Sequence, residues 1–431
     1  MSAKSSDTPP PRLTTVAAAG FKSIRDRVHA EIRPLTLLAG ANSSGKSSLM
    51  QPLLLLKQTL EAGFDAGPLR LDGPNARFTN MQQLLWHGKQ KKDHAAEFEV
   101  GLGNGRTEVS LFFKSSTKKL ALDRSVFRRA GESDVQLRVG DSGSSMTLGF
   151  LAAGIRPMVY QVTPNGCWPE LKLSSSWEAP AVTFLEKPTE SHDAILRNLI
   201  HLPGLRGNPE RLYRTSNVGA RFPGQFHDYV AGVIAFWAAA KDARLEQVAN
   251  GLQQLGLAWK VEARPVELTH VELRVSRTAS PQQGGAQDLV NIADVGFGVG
   301  QVLPVVVALA AAHRDQVVYV EQPEIHLHPR AQVALARLLL QAAARGVVVV
   351  AETHSNLLLK GVQQAVASRE FAPDLVKLHW FQRDEKTGAS RCLSADLDES
   401  GAYGNWPEDL SDVELDIEDQ FLSSSMGRRG K

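Results

Sequence analysis

Eight consecutive residues near the start of the chain have the types and spacing that a phosphate chain requires. Residues 40–47 fit the pattern G-x-x-x-x-G-K-[ST], between an apolar segment and a leucine-rich segment with helical character. The glycines at both ends let the loop turn its N–H groups towards an anion, and the positive end of the following helix points to the same place. Lys46 can reach the β- and γ-phosphates of a nucleotide, and the Ser47 hydroxyl can bind Mg²⁺. The residues expected to bind the nucleotide are Gly40, Ala41, Asn42, Ser43, Ser44, Gly45, Lys46, Ser47 and Ser48.

Three further segments with chemically active residues lie in the last third of the chain. A glycine-rich turn at residues 296–301 enters an apolar helix, and an apolar strand at residues 316–320 ends in Glu321-Gln322-Pro323-Glu324. A second apolar strand, at residues 347–352, ends in Thr353-His354-Ser355. Parallel strands separated by helices bring their carboxyl ends to one edge of a sheet, where α/β proteins bind ligands. We therefore expect these segments to share a site with the phosphate loop.

The elements that must position these residues predict an α/β fold of the P-loop type. A strand pair precedes the phosphate loop, and its role is open between a platform beside the nucleotide base and a plain edge hairpin. Residues 47–60 predict a helix that Pro52 should kink. Residues 225–257 predict a helical region with Phe236 and Trp237 in the core. Alternating apolar segments separated by turns predict an antiparallel β-subdomain, with strands at residues 96–102, 108–113, 120–128, 135–139 and 146–150.

These features divide the chain into five regions. They are a disordered tail (1–12), a first ATPase lobe with the phosphate loop and the β-subdomain (13–150), a mixed α+β and partly helical middle insertion (151–290), a second ATPase lobe (291–370), and a C-terminal hairpin with an acidic tail (371–431).

Composition excludes several classes of protein. The net charge of +2 does not indicate a nucleic-acid-binding protein, so any basic surface must be local. Two cysteines, Cys167 and Cys392, are too few for a disulfide framework, which fits a reducing cytoplasm. The longest apolar run, residues 302–312, is far shorter than the roughly 20 residues that span a bilayer. We expect a cytoplasmic protein that does not enter the membrane.

The order and spacing of five motifs resemble those of a known family. The motifs are Phe21-Lys22-Ser23 and the segments 40–47, 294–304, 321–329 and 352–355. Together they are similar to the ABC-type ATPase head of the RecF/SMC/overcoming-lysogenization-defect group, in particular to the stand-alone AAA family ATPases of bacterial defence loci such as Septu-like systems. The resemblance covers roughly residues 1–100 and 290–360. It implies an ABC-type head that binds ATP and Mg²⁺ and hydrolyses ATP.

The resemblance also implies roles for individual residues. His354 would be the switch histidine that senses the γ-phosphate, and Gln82 or Gln83 would sense the metal, with no choice between the two from sequence. Ser47, Gln82 and Glu321 would surround the Mg²⁺. The signature motif, which would contact ATP bound by a second copy in a homodimer, comprises Gly296, Gly298, Gly300 and Gln301. The His326-Leu327-His328 loop would cross to that second copy, and its spacing also permits a metal site with Glu321 and Glu324.

One position departs from the family pattern. Relatives commonly end the acidic strand in Asp-Glu, with the glutamate activating water, whereas this chain has Glu321-Gln322. Gln322 cannot accept a proton, although its amide can orient a water molecule. A placed base is typically worth 10²–10⁴-fold in rate. Hydrolysis should therefore be slow unless Glu324 or another carboxylate replaces the missing base, which leaves Glu321, Gln322, Glu324 and His354 as the candidate catalytic residues.

The remaining motifs leave alternatives open. Four arginines between Arg206 and Arg221 could contact phosphate or DNA, or form structural ion pairs. Asp396 and Asp398 permit a metal-dependent nuclease, although little chain remains around them to build one. The acidic residues 409–419 could contact a partner. The leading interpretation is an ATP-driven switch that acts on DNA or on a nuclease-like effector, in antiphage defence or DNA maintenance. The alternatives are a non-hydrolysing scaffold and an ABC transporter motor.

Overall fold

The computed structural model describes residues 11–90, 93–116, 119–144, 159–174, 182–183, 189–215, 219, 221–267, 269–281 and 288–404. Its strands are β1 (Thr15–Ala19), β2 (Val28–Glu31), β3 (Leu35–Gly40), β4 (Glu97–Gly103), β5 (Thr107–Ser116), β6 (Lys119–Arg129), β7 (Val135–Arg138), β8 (Ser142–Ser144), β9 (Val159–Asn165), β10 (Trp168–Ser174), β11 (Val182–Thr183), β12 (Ile200–Leu202), β13 (Tyr213–Arg214), β14 (Val261–Glu267), β15 (His270–Ser276), β16 (Leu289–Asn291), β17 (Val317–Glu321), β18 (Val348–Thr353), β19 (Val376–Arg383) and β20 (Ser390–Asp396). Its α-helices are α1 (Lys46–Leu60), α2 (Glu190–Asn198), α3 (Val230–Ala240), α4 (Arg244–Gln254), α5 (Phe297–Ala311), α6 (Pro329–Ala344) and α7 (Asn356–Ala367).

A six-stranded sheet with the order β12-β17-β18-β3-β19-β20 forms the centre of the fold. All its neighbouring strands are parallel except β19 and β20, which form the hairpin predicted from sequence. The register places Glu321 opposite Glu352 and Gly40 opposite Phe381. The phosphate loop, which follows β3, therefore lies at the same sheet edge as the acidic strand end, as the sequence predicts for a parallel α/β fold.

Two unexpected segments complete this sheet. Strand β12 comes from the predicted middle insertion and pairs with β17, so at least these three residues are built into the central sheet. The β19–β20 hairpin pairs with β3 through β19, so it extends the same sheet at its other side. The proposed domain boundaries remain a prediction, but both segments bring distant parts of the chain next to the strands that carry the site.

Antiparallel sheets surround this centre. One has the order β2-β1-β4-β5-β6-β7 and contains the strand pair ahead of the phosphate loop together with four of the five strands predicted for the β-subdomain. The fifth predicted strand, at residues 146–150, lies outside the described residues, as do the acidic segment 409–419 and residues 1–10. Strands β8 to β11 form a second antiparallel sheet, and β13 to β16 form a third.

Apolar side chains fill both faces of the central sheet. Side chains alternate across a strand, so Leu37 packs with α3, α5, α6 and α7 on one face while Leu38 packs with α1 and the β-subdomain on the other. Trp237 lies in the first of these cores, as predicted. The same prediction was wrong for Phe236, whose side chain is 53% exposed. Consecutive helical residues point about 100° apart, and only one of the pair faces the core.

Helix ends follow the expected local chemistry. Helix α6 begins with Pro329 at its first position and is followed by Gly346 with a φ of 92°. Helix α1 is assigned as one unbroken helix through Pro52, a residue that it buries. No helix within the described residues is long and apolar enough to cross a membrane.

Candidate nucleotide-binding and hydrolysis site

The phosphate loop adopts the backbone that its sequence requires. Gly45 has a φ of 106°, and a side chain there would meet Ser390 Oγ at 2.1 Å and Ser23 Oγ at 2.5 Å. Only glycine satisfies both conditions. Helix α1 begins at Lys46 without a side-chain cap, so its first N–H groups remain available to an anion.

Lys46 is folded back onto the loop that carries it. Its Nζ donates to the carbonyl oxygens of Gly40 and Ala41, both at 2.9 Å, and lies 3.4 Å from Nδ1 of His354. Burial lowers the pKa of Lys46. Burial and the nearby Lys46 charge lower the pKa of His354, whose neutral ring can accept a hydrogen bond from the ammonium. The structure therefore brings together Lys46 and His354, the two residues for which the sequence predicts contacts with phosphate.

A cavity of about 780 Å³ opens beside the loop. It is large enough for a small-molecule ligand. Its lining contains many of the predicted site residues, namely Asn42, Ser43, Gly45, Lys46, Ser47, Ser48, Gln82, Gln83, Glu321, Gln322 and His354. The remaining lining comes from Lys22, Ser23, Gln51, Leu85, Trp86, His87, Gly204, Glu352, Arg383, Thr387 and Gly388.

Glu352 is the most important site residue that the sequence reasoning missed. Its side chain is 3% exposed. The carboxylate accepts one hydrogen bond of 2.7 Å from the Ser47 hydroxyl and a second one from the hydroxyl of Tyr319. Burial, followed by the charge of Glu321, raises the pKa of Glu352 to about 7. A carboxylate at the end of an otherwise apolar strand, directly before the Thr-His-Ser motif, was the available signal.

Glu321 faces Glu352 across the sheet and has its own partners. One carboxylate oxygen lies 3.3 Å from Nε2 of His201, and the other accepts from the Gly204 N–H at 3.2 Å. His201 is fully enclosed and stacks on Tyr319 with ring centroids 5.4 Å apart. Burial opposes ionisation of Glu321, but the hydrogen bond and charge of His201 outweigh it and lower the pKa of Glu321.

The donor atoms around Ser47 fit Mg²⁺. Ser47, Glu321 and Glu352 offer only oxygen, the ligand that Mg²⁺ prefers, and Mg²⁺ usually takes one or two carboxylates together with substrate phosphates. Within the described residues, no group of three or more His, Cys, Asp and Glu side chains could hold a metal ion by itself. The metal site considered for His326 and His328 therefore finds no support, and His328 instead caps α6 by accepting from the Arg330 N–H.

Glu324 does not occupy the position of a replacement base. It is 8% exposed and is absent from the cavity lining among the described residues. Its Oε1 accepts from the Thr353 hydroxyl at 2.7 Å and from the His354 N–H at 3.0 Å. The sequence left Glu324 open as one possible replacement base, whereas in the structure this carboxylate holds the end of β18 and with it the backbone of His354.

Gln322 lines the cavity in an uncommon backbone conformation. Its φ is 44°, and its N–H donates to the Glu352 carbonyl at 2.8 Å. Such left-handed conformations cost of order 1–3 kcal/mol for non-glycine residues and are typically found at functional sites. The backbone of Gln322 is therefore held in place by its surroundings.

Arg206 supplies part of that support. Its guanidinium donates to the carbonyl oxygens of Glu321 at 2.5 Å and Gln322 at 3.2 Å. It also donates to the Gln301 carbonyl at 3.1 Å. The side chain is 5% exposed, and burial lowers the pKa of Arg206 to about 10. The suggestion that Arg206 contacts phosphate or DNA is corrected, because all three contacts are internal. Arg211 is exposed but pairs with Asp294.

The signature residues divide into two groups. Gly296 precedes α5, is exposed, and leaves the helix start without a side-chain cap. Gly298 and Gly300 face the protein, where a Cβ would lie 3.0 Å from the His326 carbonyl and 2.3 Å from Pro209, respectively. The Gln301 side chain is 6% exposed, and its amide donates to the Gly207 carbonyl at 2.6 Å. Gln301 is therefore corrected from an outward contact to an internal one.

The structure also distinguishes the two candidate glutamines. The Gln83 carbonyl oxygen accepts from the Thr79 N–H at 2.8 Å, so this side chain holds its own loop. Gln82 is exposed and lines the cavity. Gln83 is exposed and lines the cavity as well, so the two glutamines differ in that the Gln83 side chain is engaged by its own loop.

The DxD pair has structural partners. Asp396 binds Lys377 at 2.8 Å, and Asp398 accepts from the backbone of Ser400 and Ala402 at the following turn. This arrangement gives the nuclease interpretation of the two aspartates no support.

Part of the chain matches a known protein family. Residues 155–360 match the family described as "AAA domain, putative AbiEii toxin, Type IV TA system". None of the curated proteins compared with the chain matches it.

Similar solved structures include heads of SMC proteins. An SMC head bound to the C-terminal winged-helix domain of ScpA is 14% identical, with 90% of this chain and 99% of that chain covered and a TM-score of 0.47. The SMC head domain from Thermotoga maritima is 11% identical, with coverages of 90% and 100% and a TM-score of 0.41. An Smc head with an extended coiled coil, bound to the C-terminal domain of ScpA derived from Pyrococcus furiosus, is 13% identical, with coverages of 90% and 96% and a TM-score of 0.44. Likeness at this level bears on neither function nor partners.

The family match covers slightly less than half of the chain, including the glycine-rich turn at residues 296–301, the acidic end of β17 and His354. The phosphate loop lies outside the matched residues but joins them through β3 in the central sheet. Residues 155–360 therefore match a family of AAA domains, and the central sheet places the phosphate loop beside this matched segment.

Proposed function

We propose that the protein is a cytoplasmic ATP-driven switch. It binds ATP with Mg²⁺, hydrolyses it slowly, forms a homodimer around the bound nucleotide, and controls a DNA-directed or nuclease partner in antiphage defence or DNA maintenance. The role of the partner comes from the resemblance in sequence, whereas the nucleotide chemistry rests on the geometry of the site.

The observation that carries the proposal is the hydrogen bond between Ser47 and Glu352 inside the cavity. It joins the first turn of the phosphate-binding helix to the acidic edge of the sheet, where Glu321 lies in register with Glu352. When bound there, Mg²⁺ would offset the negative charge of the β- and γ-phosphates. Lys46 would exchange its two carbonyl contacts for phosphate oxygens, which are stronger partners for an ammonium.

Slow turnover follows from the groups beside Gln322. The carboxylates in the described cavity lining are Glu321 and Glu352, and both face Ser47 or its neighbours on the metal side. Gln322 can orient the attacking water through its amide but cannot take its proton. His354, held next to Lys46, would report the presence of the γ-phosphate. The ATP-bound state therefore persists, as a switch requires.

Three exposed features support dimer formation around ATP. The start of α5 at Gly296 presents free N–H groups, which suit a phosphate held by a second copy. Leu205 is 83% exposed and follows Gly204, which lines the cavity. Phe297 is 56% exposed and lies against the ring of His326. Large apolar side chains that are exposed in this way suit an interaction surface.

The proposal places nuclease activity in a partner. Asp396 and Asp398 are engaged in structural contacts, so this chain offers no nuclease site there. Of the four arginines in the Arg206–Arg221 cluster, Arg214 and Arg221 remain candidates for a direct DNA contact, because both are exposed. Arg206 is internal, and Arg211 is paired with Asp294.

ATP turnover tests the enzymatic part of the proposal. The purified chain with ATP and Mg²⁺ should release phosphate well below about 1 per second, the lower end of ordinary enzyme turnover. Lys46→Ala should abolish that activity. Turnover that persists unchanged in Lys46→Ala would contradict the proposal, and ATP binding without any turnover would favour the non-hydrolysing scaffold, the alternative that Gln322 supports. An ABC transporter motor would require capture of a membrane permease.

Molar mass measured by light scattering tests the dimer. The wild-type chain should double its mass with ATP and Mg²⁺, and Phe297→Asp should remain a monomer while still binding ATP. Phe236→Asp is the matched control, because Phe236 is similarly exposed but lies on α3 and not at the start of α5. A monomeric wild-type protein under ATP saturation would rule the ATP-dependent dimer out.

A further inference from the structure

The C-terminal hairpin lies directly against the phosphate loop. Strand β19 runs parallel to β3, with Phe381 opposite Gly40, so β19 leaves the sheet where the loop begins. The turn that follows is closed by Asp384, whose carboxylate accepts from the N–H and hydroxyl of Thr387. A segment nearly 350 residues away in sequence thus forms one wall of the nucleotide cavity.

Ser390 joins the two elements. Its hydroxyl donates to the Ser44 carbonyl at 2.6 Å and lies 2.7 Å from Ser23 Oγ, while its N–H donates to the Ser23 carbonyl at 2.7 Å. Ser23 Oγ is in turn 3.2 Å from Ser48 Oγ. The hairpin, the Phe-Lys-Ser motif and the phosphate loop are therefore held in one hydrogen-bonded unit around Gly45.

Arg383 is the free cation of this unit. The residue is exposed and lines the cavity together with Thr387 and Gly388, and its guanidinium has no hydrogen bond or ion pair among the described residues. It also lies in register with Ser390 on the neighbouring strand. An arginine beside a phosphate site, without a carboxylate partner, is suited to bind an anion through its planar fork of N–H donors.

The position of the unit indicates which end of the nucleotide it meets. The γ-phosphate end is marked by Lys46, His354 and Gln322. Ser48 lies one residue beyond the metal-binding Ser47 along α1, and it contacts Ser23 rather than the acidic strand ends. The hairpin therefore borders the part of the cavity that leads away from the γ-phosphate.

We propose that the β19–β20 turn is part of the nucleotide site, with Ser390 positioning the phosphate loop and Arg383 binding the α-phosphate and ribose end of the nucleotide. This inference rests on the proposed ATP binding and extends it to a second wall of the same cavity. Because its target is common to ATP and ADP, Arg383 strengthens the binding of both and does not distinguish the triphosphate state.

Equilibrium titration of the full-length protein with ATP and with ADP, each with Mg²⁺, tests the proposal. Arg383→Ala should weaken the affinity for both nucleotides by about tenfold and by the same factor, because one charge-assisted contact is lost from each. Arg383→Gln, which keeps most of the side chain, should show the same loss, and Arg383→Lys should recover part of it.

Lys386→Ala is the matched control. Lys386 lies in the same turn, is exposed, and is not part of the cavity lining in the described chain. Its removal changes the net charge equally and should leave both affinities unchanged. If Lys386→Ala lost as much affinity for nucleotide as Arg383→Ala, the loss would reflect only the change in net charge, and the proposal would be overturned.

Two further outcomes would also overturn it. Unchanged affinities in Arg383→Ala and Arg383→Gln would remove Arg383 from the site, and a loss restricted to ATP would place it at the γ-phosphate. A wild-type chain that binds neither nucleotide would instead defeat the proposed function itself, which keeps the two failures distinct.

Discussion

The hydroxyl of Ser47 donates a hydrogen bond of 2.7 Å to the carboxylate of Glu352, across 305 residues of sequence. The other carboxylate oxygen accepts from Tyr319, a fully buried residue of the neighbouring strand. Glu352 is thereby fixed on both sides, with one oxygen next to the first turn of α1. The fold thus places the hydroxyl that we propose as a Mg²⁺ ligand next to a buried carboxylate.

The first prediction concerns Glu352→Gln. The amide can keep a hydrogen bond to Ser47 but removes the negative charge, so Mg²⁺-dependent affinity for ATP and turnover should fall between about tenfold and a hundredfold. Binding of ATP in the presence of a chelator should stay close to that of the wild type. Titrations with and without Mg²⁺ measure the difference. Glu370→Gln, at an exposed carboxylate paired with Arg337, is the control. An equal loss with and without Mg²⁺ would contradict a metal-directed role.

The second prediction concerns the missing base. Gln322→Glu supplies a proton acceptor at a cavity-lining position whose backbone is already fixed, so turnover should rise, by up to about 10²-fold. Initial rates of phosphate release at saturating ATP measure it, and the double variant with Lys46→Ala should return the rate to background. If turnover in a folded Gln322→Glu protein equals or falls below that of the wild type, slow hydrolysis has another cause.

Local sequence patterns were sufficient to find the phosphate loop and the central strands. The loop depends on glycines, a lysine and a serine that are adjacent in sequence, and its φ of 106° at Gly45 follows directly from the motif. Buried parallel strands appear as short valine-rich runs, so β17 and β18 were identifiable with their polar ends. Both patterns depend only on residues that are close together in the sequence.

Contacts between distant segments decided what the sequence missed. In the sequence, Arg206 looks like the exposed arginines that follow it. Its side chain is buried because its loop packs against α5, where Arg206 donates to the Gln301 carbonyl. Glu352 became a site residue because β18 lies beside β17 and β3 in the sheet order, which periodicity does not specify. The hairpin was recognised as a hairpin, but its pairing with β3, and therefore its place at the cavity, required the tertiary structure.

The third prediction concerns the support of Gln322 by Arg206. Arg206→Lys cannot reproduce three carbonyl contacts from two nitrogens of a planar group, so the backbone of Glu321 and Gln322 should lose its fixed position. We expect kcat to fall about tenfold or more while the affinity for ATP changes little, since the phosphate loop is untouched. Arg211→Lys, at an exposed ion pair with Asp294, is the control. An effect on ATP affinity alone would contradict a positioning role.

The fourth prediction concerns pH and His192, which α2 buries with its Nε2 3.3 Å from the Thr107 carbonyl. Burial lowers the pKa of His192 to about 4, whereas an unfolded histidine has a pKa near 6.5. Between these values the unfolded chain binds the proton more readily, so stability is lost as the pH falls from about 6.5 towards 4. At pH 5 this group should lower the free energy of unfolding by about 2 kcal/mol relative to pH 7.

Urea unfolding of His192→Gln at both pH values should therefore show a pH dependence smaller than that of the wild type by this amount. His87→Gln, at an exposed histidine, is the control, and an unchanged pH dependence in His192→Gln would show that His192 is not the group responsible.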